Sequence, residues 1–320
     1  MLDPVDQLVS DAPEIGRTDA LLVVHRGDVI VEHYGVEVDA TTTMRSWSIA
    51  KSMLHAAVGL LVDDGALDLE ARAPVAAWAD PDDPRHAITL RHLMTMQSGL
   101  TWCEAPVHGV PALPDSYLMV YGNDGGPQED TAAWAADRPL AIPPGTALNY
   151  SSGNSAIVST IVRDLVGTGP AYRSWLHERL FDPLGMASAT PRFDSAGSWM
   201  ASSFCFCSAR DFARFGQLYL DGGMVGDRRL LTEDWVATAG RPTGGDGTGA
   251  VHTMHWWRFG DNPWGAFHAS GYLGQYVVVV PPLDLVVVRL GETPTASRDH
   301  VLEALTELIR TFDTTTRGTA

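Results

Sequence analysis

Met44-Arg45-Ser46-Trp47-Ser48-Ile49-Ala50-Lys51-Ser52-Met53-Leu54 is the segment around which the predicted architecture is built. Residues 49–62 are nearly all apolar or small, and the apolar positions recur around every face of a helix. Such a helix is buried on all sides rather than amphipathic. Asp63-Asp64-Gly65 follows, and a glycine just after the periodic residues is typical of a helix end. The sequence therefore predicts a central buried helix that starts at Ser48.

Ser48 and Lys51 are one helical turn apart, so the serine hydroxyl and the lysine amine share a face of this helix. A buried lysine is costly while charged, and its pKa is expected to fall unless a partner compensates the charge. Such a lysine can take the proton of a neighbouring hydroxyl and make the serine a nucleophile. The positive end of the helix dipole also favours the oxyanion that forms when a serine attacks a carbonyl group.

A structural interpretation of the same pair has to be weighed against the catalytic one. Ser-x-x-Lys arises by chance in most chains of this length, and serine is a common N-cap residue. Taken alone, the pair is a motif match, which predicts catalysis only together with its context. The rest of the chain has to supply that context.

The composition indicates a globular chain of one or two domains, with 320 residues of which 45% are apolar and 19% charged. The net charge of −17 argues against nucleic acid and anionic membranes as partners. No apolar run reaches the length of a membrane span, and residues 1–17 lack the pattern of a signal peptide. Three cysteines without a pairing pattern complete the features that predict a cytoplasmic protein.

Metal and nucleotide chemistry find little support in the sequence. It contains no Walker loop, no Gly-x-Ser-x-Gly elbow and no His-Glu-x-x-His. His252 and His255 would face opposite sides of one strand, which argues against a metal pair. Cys205 and Cys207 would share a face if they lie on a strand, and this spacing does not indicate a metal clamp either. The sequence predicts neither a metal nor a cofactor.

Strand signals occur at both ends of the chain. Residues 20–24 and 29–33 are β-branched runs on either side of the turn Arg26-Gly27-Asp28, which predicts a hairpin. Near the other end, a helix is predicted at 301–312, and strand-like runs precede it at 252–258, 266–270, 275–280 and 283–290, with Pro281-Pro282 at the last turn.

Between these ends the strand signal fades and helical segments alternate with loops. Helices are predicted at 89–96, 131–136, 153–165 and 208–220, and the longest loops at 104–128 and 241–249. The prediction is therefore an α+β fold. Residues 1–65 and 204–320 form an antiparallel sheet flanked by helices, and residues 66–203 form an inserted, mainly helical lobe, together one catalytic unit.

Two further polar clusters accompany the Ser48 segment. The first is Pro143-Pro144-Gly145-Thr146-Ala147-Leu148-Asn149-Tyr150-Ser151-Ser152-Gly153-Asn154, an irregular loop with Tyr150 just before the next predicted helix. The second is His268-Ala269-Ser270-Gly271-Tyr272, in or beside a strand, where a glycine often marks close approach of another backbone or a ligand. A lone tyrosine is by default a core residue with a satisfied hydroxyl. The combination of clusters is what points to function.

Together the clusters resemble the motifs of the penicillin-recognising serine hydrolases, a group that includes class C β-lactamases, DD-peptidases and related esterases. Ser48 to Lys51 matches their Ser-x-x-Lys. Tyr150-Ser151-Ser152 partly matches their Tyr-x-Asn, and Ala269-Ser270-Gly271 matches two positions of their Lys/His-Thr/Ser-Gly. Their order and spacing extend from about residue 21 to residue 290 and so span most of the chain. The resemblance implies a β-lactamase/DD-peptidase-like α+β fold with the active site between the lobes.

The resemblance also implies a role for each matched residue. Ser48 would attack the substrate carbonyl, with Lys51 and Tyr150 sharing the proton transfers. The main-chain amides of Ser48 and Tyr272 would form the oxyanion hole. Water would then resolve the acyl-enzyme, so neither a metal nor a cofactor is needed, and the partner is a small-molecule amide or ester. The residues expected to bind the substrate are Ser152, Ala269, Ser270 and Gly271.

Two departures from the motifs bear on the substrate. Ser152 stands where the lactamases carry asparagine, and Ala269 stands where they carry a cation. His268 could substitute for that cation, but it is one position early and would project to the opposite strand face. The uncharged third motif looks more like the esterase and 6-aminohexanoate-dimer hydrolase branch.

The sequence therefore predicts a serine hydrolase that cleaves an amide or ester through an acyl-enzyme on Ser48. The alternatives are a β-lactamase or D-amino-acid peptidase, and an acyl-binding sensor or acyltransferase of the same fold. The motifs leave the acyl group and the oligomeric state open.

Overall fold

The computed structural model of the protein describes residues 3–106, 112–122, 128–245, 251–259 and 262–313. Parts of the predicted loops 104–128 and 241–249 lie outside the described residues. The α-helices in chain order are α1 (Pro4–Leu8), α2 (Ile49–Asp63), α3 (Leu90–Met94), α4 (Asp115–Tyr121), α5 (Thr131–Ala136), α6 (Ser152–Val166), α7 (Pro170–Leu176), α8 (Ala209–Leu220), α9 (Glu233–Thr238) and α10 (Arg298–Phe312). The strands are β1 (Arg17–His25), β2 (Asp28–Tyr34), β3 (Met44–Arg45), β4 (Thr190–Pro191), β5 (Cys205–Cys207), β6 (Met224–Val225), β7 (Arg228–Arg229), β8 (Gly244–Gly245), β9 (Val251–His252), β10 (Trp257–Arg258), β11 (Phe267–Gly271), β12 (Gln275–Val280) and β13 (Leu285–Glu292).

One antiparallel sheet contains strands from both ends of the chain, in the order β2-β1-β13-β12-β11-β10-β9-β8. The hairpin of β1 and β2 closes at Arg26 and Gly27, whose positive φ angles of 54° and 84° suit a tight two-residue turn. With the helices that surround the sheet, this confirms the predicted α+β fold. The valine-rich strands β12 and β13 are buried at almost every position, as expected where both faces of a sheet are covered.

Each face of the sheet packs against its own layer of helices. Alternate residues of one strand point to opposite faces, so the valines of β12 and β13 divide between two hydrophobic cores. Val277, Val279, Val286 and Val288 pack in the core that contains α2 and α8. Their neighbours Val278, Val280 and Val287 pack in a second core with α10 and the last residue of α1. The candidate motifs lie on the side of the first core.

The central helix α2 matches the prediction closely. Every side chain from Ile49 to Leu61 is buried, and Gly65 follows the helix in the left-handed conformation, with φ +72°. It contacts α6 of the middle region and β11 and β12 of the sheet, so it joins the two parts of the structure. Neither this helix nor any other in the described part of the chain is long and apolar enough to cross a membrane.

Three local predictions were wrong or incomplete. The expected strand 252–258 is two short strands, because His255 takes a positive φ of 57° and the chain turns between β9 and β10. The predicted loop 104–128 contains the helix α4. A small sheet in the order β3-β5-β4 lacked any strand signal because its strands are only two or three residues long.

Cys205 and Cys207 do share a buried face of β5, with their Sγ atoms 3.6 Å apart.

A buried arginine holds the turn that follows β11. Arg289 of β13 is fully buried, and burial lowers its pKa to about 10. Its guanidinium donates to the main-chain oxygen of Gly274 at 2.9 Å, to that of Arg17 at 3.0 Å and to the Thr18 hydroxyl at 3.1 Å. The partners of this cation are therefore neutral oxygens, two from main-chain carbonyl groups and one from a hydroxyl. It joins the start of β1 to the turn at residues 272–274.

We expect Arg289→Met to lower the free energy of unfolding by about 2–4 kcal/mol, because it leaves buried carbonyl oxygens without donors. Urea unfolding followed by tryptophan fluorescence measures this change. The control is Arg310→Met on α10, whose side chain is 58% exposed and whose loss should change the stability by at most about 0.5 kcal/mol. Equal effects of the two substitutions would contradict the assigned role of Arg289.

Candidate active site

The start of α2 is fixed by the small sheet. Ser46 donates its main-chain N–H to Cys205 O at 2.8 Å, and the Cys205 N–H donates to the Ser46 hydroxyl at 3.0 Å. Trp47 then adopts a positive φ of 47°, an uncommon conformation for a bulky residue. This bend directs the chain into the helix at Ser48. Strained backbone of this kind costs about 1–3 kcal/mol and is concentrated at functional sites.

Ser48 occupies the N-cap position of α2, yet its side chain caps no helix N–H. Its hydroxyl accepts a hydrogen bond from Lys51 Nζ at 2.9 Å instead. The structural interpretation of the Ser-x-x-Lys pair invoked a capping serine, and Ser48 does not act as one. The sequence pattern correctly indicated that the two groups face each other.

Lys51 is almost completely buried, with 1% of its surface exposed. Besides Ser48 Oγ, its Nζ donates to Ser152 Oγ at 3.0 Å and to the Ser202 main-chain oxygen at 2.8 Å. The amine therefore has three oxygen partners from three separate parts of the chain. Lys51 is also the single lysine of the sequence, since all other basic residues among its 22 Lys and Arg are arginines.

Tyr150 lies beside this amine but is not hydrogen-bonded to it. Lys51 Nζ is 5.0 Å from the centre of the Tyr150 ring, which packs against Trp257 at 5.3 Å between ring centres. Within the described residues the Tyr150 hydroxyl makes no hydrogen bond, and the side chain is half-buried. The hydroxyl is thus available to a group that enters the site. The default of a core tyrosine with a satisfied hydroxyl does not apply.

Ser152 is the first residue of α6, and its hydroxyl connects Lys51 to an acidic side chain. The hydroxyl donates to Glu104 Oε1 at 2.6 Å, and the Ser152 main-chain N–H donates to Glu104 Oε2 at 2.8 Å. The Trp102 indole N–H donates to the same Oε2 at 2.6 Å. Ser152 is therefore engaged inside the protein, and substrate binding by its side chain stays a prediction.

The third cluster meets the start of α2 at Gly271. A Cβ atom at this glycine would lie 2.6 Å from the main-chain oxygen of Ser46, so only glycine allows the strand to come this close. Just beyond it the rings of Tyr272 and Trp47 pack at 5.1 Å between centres. In the described part of the chain no hydrogen bond takes up the main-chain N–H of Ser48 or Tyr272. Two free amides near a nucleophile are what an oxyanion hole requires.

The other residues of the third cluster alternate between the two faces of β11. Ala269 is fully buried in the core around α2, so its methyl group has no access to a ligand. His268 points to the opposite face, where its ring packs against Phe259 and Tyr276. Burial lowers the pKa of His268 to about 3. His268 therefore does not replace the missing cation, and Ser270 shares its face by strand alternation.

Sequence reasoning missed Glu104 and Ser202. Glu104 lies in a segment without a recognisable motif, and only the fold brings it to the N-terminus of α6. Ser202 contributes a main-chain oxygen, which any residue type could supply. Neither residue could have been selected from the sequence by its chemistry.

Comparisons with known proteins identify the family of this chain. A family model described as Beta-lactamase matches residues 5–309. A 6-aminohexanoate-dimer hydrolase of Paenarthrobacter ureafaciens is 27% identical over 327 residues, which covers 92% of this chain and 79% of that protein. Penicillin-binding protein 4 of Amycolatopsis lactamdurans is 27% identical, covering 84% of this chain and 75% of that protein. The solved structure of a Bacillus anthracis protein assigned as a 6-aminohexanoate-dimer hydrolase has a TM-score of 0.81 and 25% identity, and the match covers 99% of this chain and 84% of that one.

We expect Gly271→Ala to lower kcat/KM by at least about tenfold, because the added methyl group pushes β11 away from the turn before Ser48. Steady-state kinetics with a p-nitrophenyl ester measures the effect. Gly240→Ala is the matched control, since a Cβ there meets its neighbours at an ordinary 3.5 Å. Activity of Gly271→Ala within twofold of this control would show that the close approach has no catalytic importance.

Proposed function

From the premise that this chain belongs to the Beta-lactamase family, we propose that Ser48 is the nucleophile of a serine hydrolase that cleaves amide or ester bonds. The observation that carries this proposal is the 2.9 Å hydrogen bond between Lys51 Nζ and Ser48 Oγ. A hydroxyl at a helix N-cap normally bonds a helix N–H, but here it faces a buried amine. A nucleophile and a base within hydrogen-bond distance are the signature of covalent catalysis.

The first half of the reaction is acylation. Ser48 Oγ attacks the substrate carbonyl carbon while its proton passes to Lys51, and the carbonyl oxygen becomes an oxyanion. The unpaired amides of Ser48 and Tyr272 stabilise that charge, assisted by the positive end of α2. The tetrahedral intermediate collapses when the bond to the leaving nitrogen or oxygen breaks and the leaving group takes the proton that Lys51 received from Ser48. Water then attacks the ester carbonyl of acylated Ser48 and gives a proton to Lys51. The bond to Ser48 Oγ breaks, the acid leaves, and Oγ regains that proton.

Tyr150 shares the proton transfers in this scheme. Its ring lies against the Lys51 amine, and its hydroxyl has no partner in the described structure. We assign to this hydroxyl the transfer of a proton between Lys51 and the leaving group. This role is supported by the position of the ring and by the Tyr-x-Asn-like motif.

The third motif supports neutral substrates over carboxylated lactams. The position of the cation is taken by Ala269, which is buried and uncharged. The other candidate, His268, lies on the far face of β11. Nearby, the guanidinium of Arg45 is 3.5 Å from the centre of the Trp47 ring and 3.8 Å from that of Phe204, so these rings already enclose it. The substrate class is therefore an uncharged small-molecule amide or ester.

A cytoplasmic location is part of the proposal. Cys103, Cys205 and Cys207 are all free thiols, which suits a reducing compartment. The acidic net charge of −17 is in keeping with a small-molecule substrate rather than a nucleic acid.

We expect Ser48→Ala to retain less than about 1% of the wild-type activity and to keep its fold, because the hydroxyl is the attacking group. Intact-mass spectra during turnover of a p-nitrophenyl ester should show a transient acyl adduct on the wild type and none on Ser48→Ala. Ser52→Ala, one residue after Lys51, removes a hydroxyl that only bonds the His255 main-chain oxygen and should keep the adduct. A stable adduct without product release would instead identify an acyl-binding sensor, and activity in Ser48→Ala would exclude Ser48 as the nucleophile.

We also expect kcat/KM for p-nitrophenyl butyrate to exceed that for a chromogenic cephalosporin by at least about tenfold. A charge-assisted contact with the lactam carboxylate contributes roughly 1.5–3 kcal/mol, or one to two decades in affinity, and Ala269 cannot make it. Faster turnover of the cephalosporin by the wild type would favour a β-lactamase.

A further inference from the structure

Glu104 is an acidic side chain that the mechanism above does not use, although only the Ser152 hydroxyl separates it from the reactive amine. Three donors hold its carboxylate, namely the Ser152 hydroxyl, the Ser152 main-chain N–H and the Trp102 indole N–H. It lies at the N-terminus of the 15-residue helix α6, where the helix dipole favours negative charge. The site therefore pairs an anion with a buried amine through one shared hydroxyl.

The hydrogen bonds around Lys51 restrict the direction in which its lone pair can point. A charged ammonium group has three N–H donors, which match the oxygens of Ser48, Ser152 and Ser202. A neutral amine has two donors and one lone pair, so one of these three groups must donate to it. The Ser202 oxygen belongs to a carbonyl group and can only accept. Only the two serine hydroxyls can take the donor role.

Glu104 decides between these two hydroxyls. An ionised carboxylate only accepts, so the 2.6 Å hydrogen bond requires that Ser152 direct its proton to Glu104. Ser152 then offers Lys51 a lone pair. The Ser48 hydroxyl remains as the group that donates to the neutral amine, and this is the arrangement from which its proton moves to Lys51.

We propose that Glu104 is a positioning residue that acts through Ser152 to direct the lone pair of Lys51 toward Ser48. It also balances the positive charge that Lys51 gains when it takes the Ser48 proton. This inference rests on the proposed function, in which Lys51 is the base that activates Ser48. Beside the nucleophile Ser48 and the base Lys51, Glu104 is then the third group, which orients the base.

Other titratable groups also face Lys51. The Tyr150 ring covers one side, and His255, in the turn between β9 and β10, lies near enough for its charge and that of Lys51 to repel. Burial lowers the pKa of His255 well below its ordinary value, so this ring stays neutral at the pH values of an assay. A pH dependence that changes with the charge of Glu104 is therefore distinct from titration of His255.

The test begins with Glu104→Gln, which keeps the shape of the side chain and removes its charge. The amide NH₂ can donate to Ser152, whose proton is then free to turn toward Lys51. We expect kcat/KM to fall by about tenfold or more at the optimum pH. The acidic limb of the pH profile should also move to lower pH, because a negative charge that favours the ammonium form is lost. Glu129→Gln, at an exposed position of the same lobe, should change neither.

A second readout does not depend on turnover. Because Lys51 is the single lysine, protein labelled with ¹³C at lysine Cε gives one resonance that reports the charge of this amine. We expect this resonance to titrate at lower pH in Glu104→Gln than in the wild type, by at least about half a pH unit. If Ser48→Ala were active, the proposed function would fail, yet the resonance would still show whether Glu104 and Lys51 are coupled.

Ser152→Ala provides the second variant if Glu104→Gln does not fold. It removes the linking hydroxyl, while Glu104 keeps its bonds to Trp102 and to the main chain of residue 152. We expect Ser152→Ala to lower kcat/KM by about tenfold. Adding Glu104→Gln to this variant should lower kcat/KM further by less than about threefold, because no Ser152 hydroxyl proton remains that could turn toward Lys51. Two results would overturn the proposal and leave Glu104 as a support for its loop. One is an equal loss of kcat/KM at all pH values in Glu104→Gln with an unchanged lysine resonance. The other is a double variant whose loss of kcat/KM is the full product of the two single losses.

Discussion

The burial of one amine is the constraint on which the site depends. Lys51 Nζ lies in the interior and is bonded to three oxygens that come from the start of α2, the start of α6 and the main chain at Ser202. A buried amine without such partners costs several kcal/mol. Burial of Lys51 therefore requires that these three segments meet around it. The helical region and the sheet region are joined at this point.

The choice of lysine has a chemical reason that the composition makes visible. Arginine stays charged at neutral pH even where burial lowers its pKa to about 10, as in Arg289, whereas an amine can lose its proton when its surroundings demand it. Elsewhere the chain uses arginine for its basic positions, including the fully buried Arg289, whose partners are main-chain oxygens and the Thr18 hydroxyl. Among its Lys and Arg positions, only residue 51 carries a group that can lose its proton and act as a base. The same distinction explains why Arg289 fixes a turn while Lys51 faces a nucleophile.

The sequence predicted those parts of the fold that depend on local pattern. The buried helix α2 and the valine-rich strands followed from the periodicity of apolar residues, and the three motifs indicated Ser48, Lys51 and Tyr150. What it could not predict depends on tertiary contact or on special backbone geometry. His255 ended an expected strand through its positive φ, and β3 to β5 are too short to carry a periodic signal. Glu104 reaches the site through the fold, and Ser202 contributes only a main-chain oxygen.

Ser152 shows how the structure changes the meaning of a departure from a motif. From the sequence it was a replacement for an asparagine that holds the substrate, and so it pointed to a different substrate. In the structure its short side chain fits between Lys51 and Glu104, at 3.0 Å from one and 2.6 Å from the other. A serine hydroxyl donates one proton and accepts at its lone pairs, so it can link an amine to a carboxylate through a single atom. An asparagine would present its donor and acceptor on separate atoms, and the amine and the carboxylate could not share one oxygen. The departure at residue 152 is therefore matched by the carboxylate at residue 104, and the two are best understood as one feature of the site.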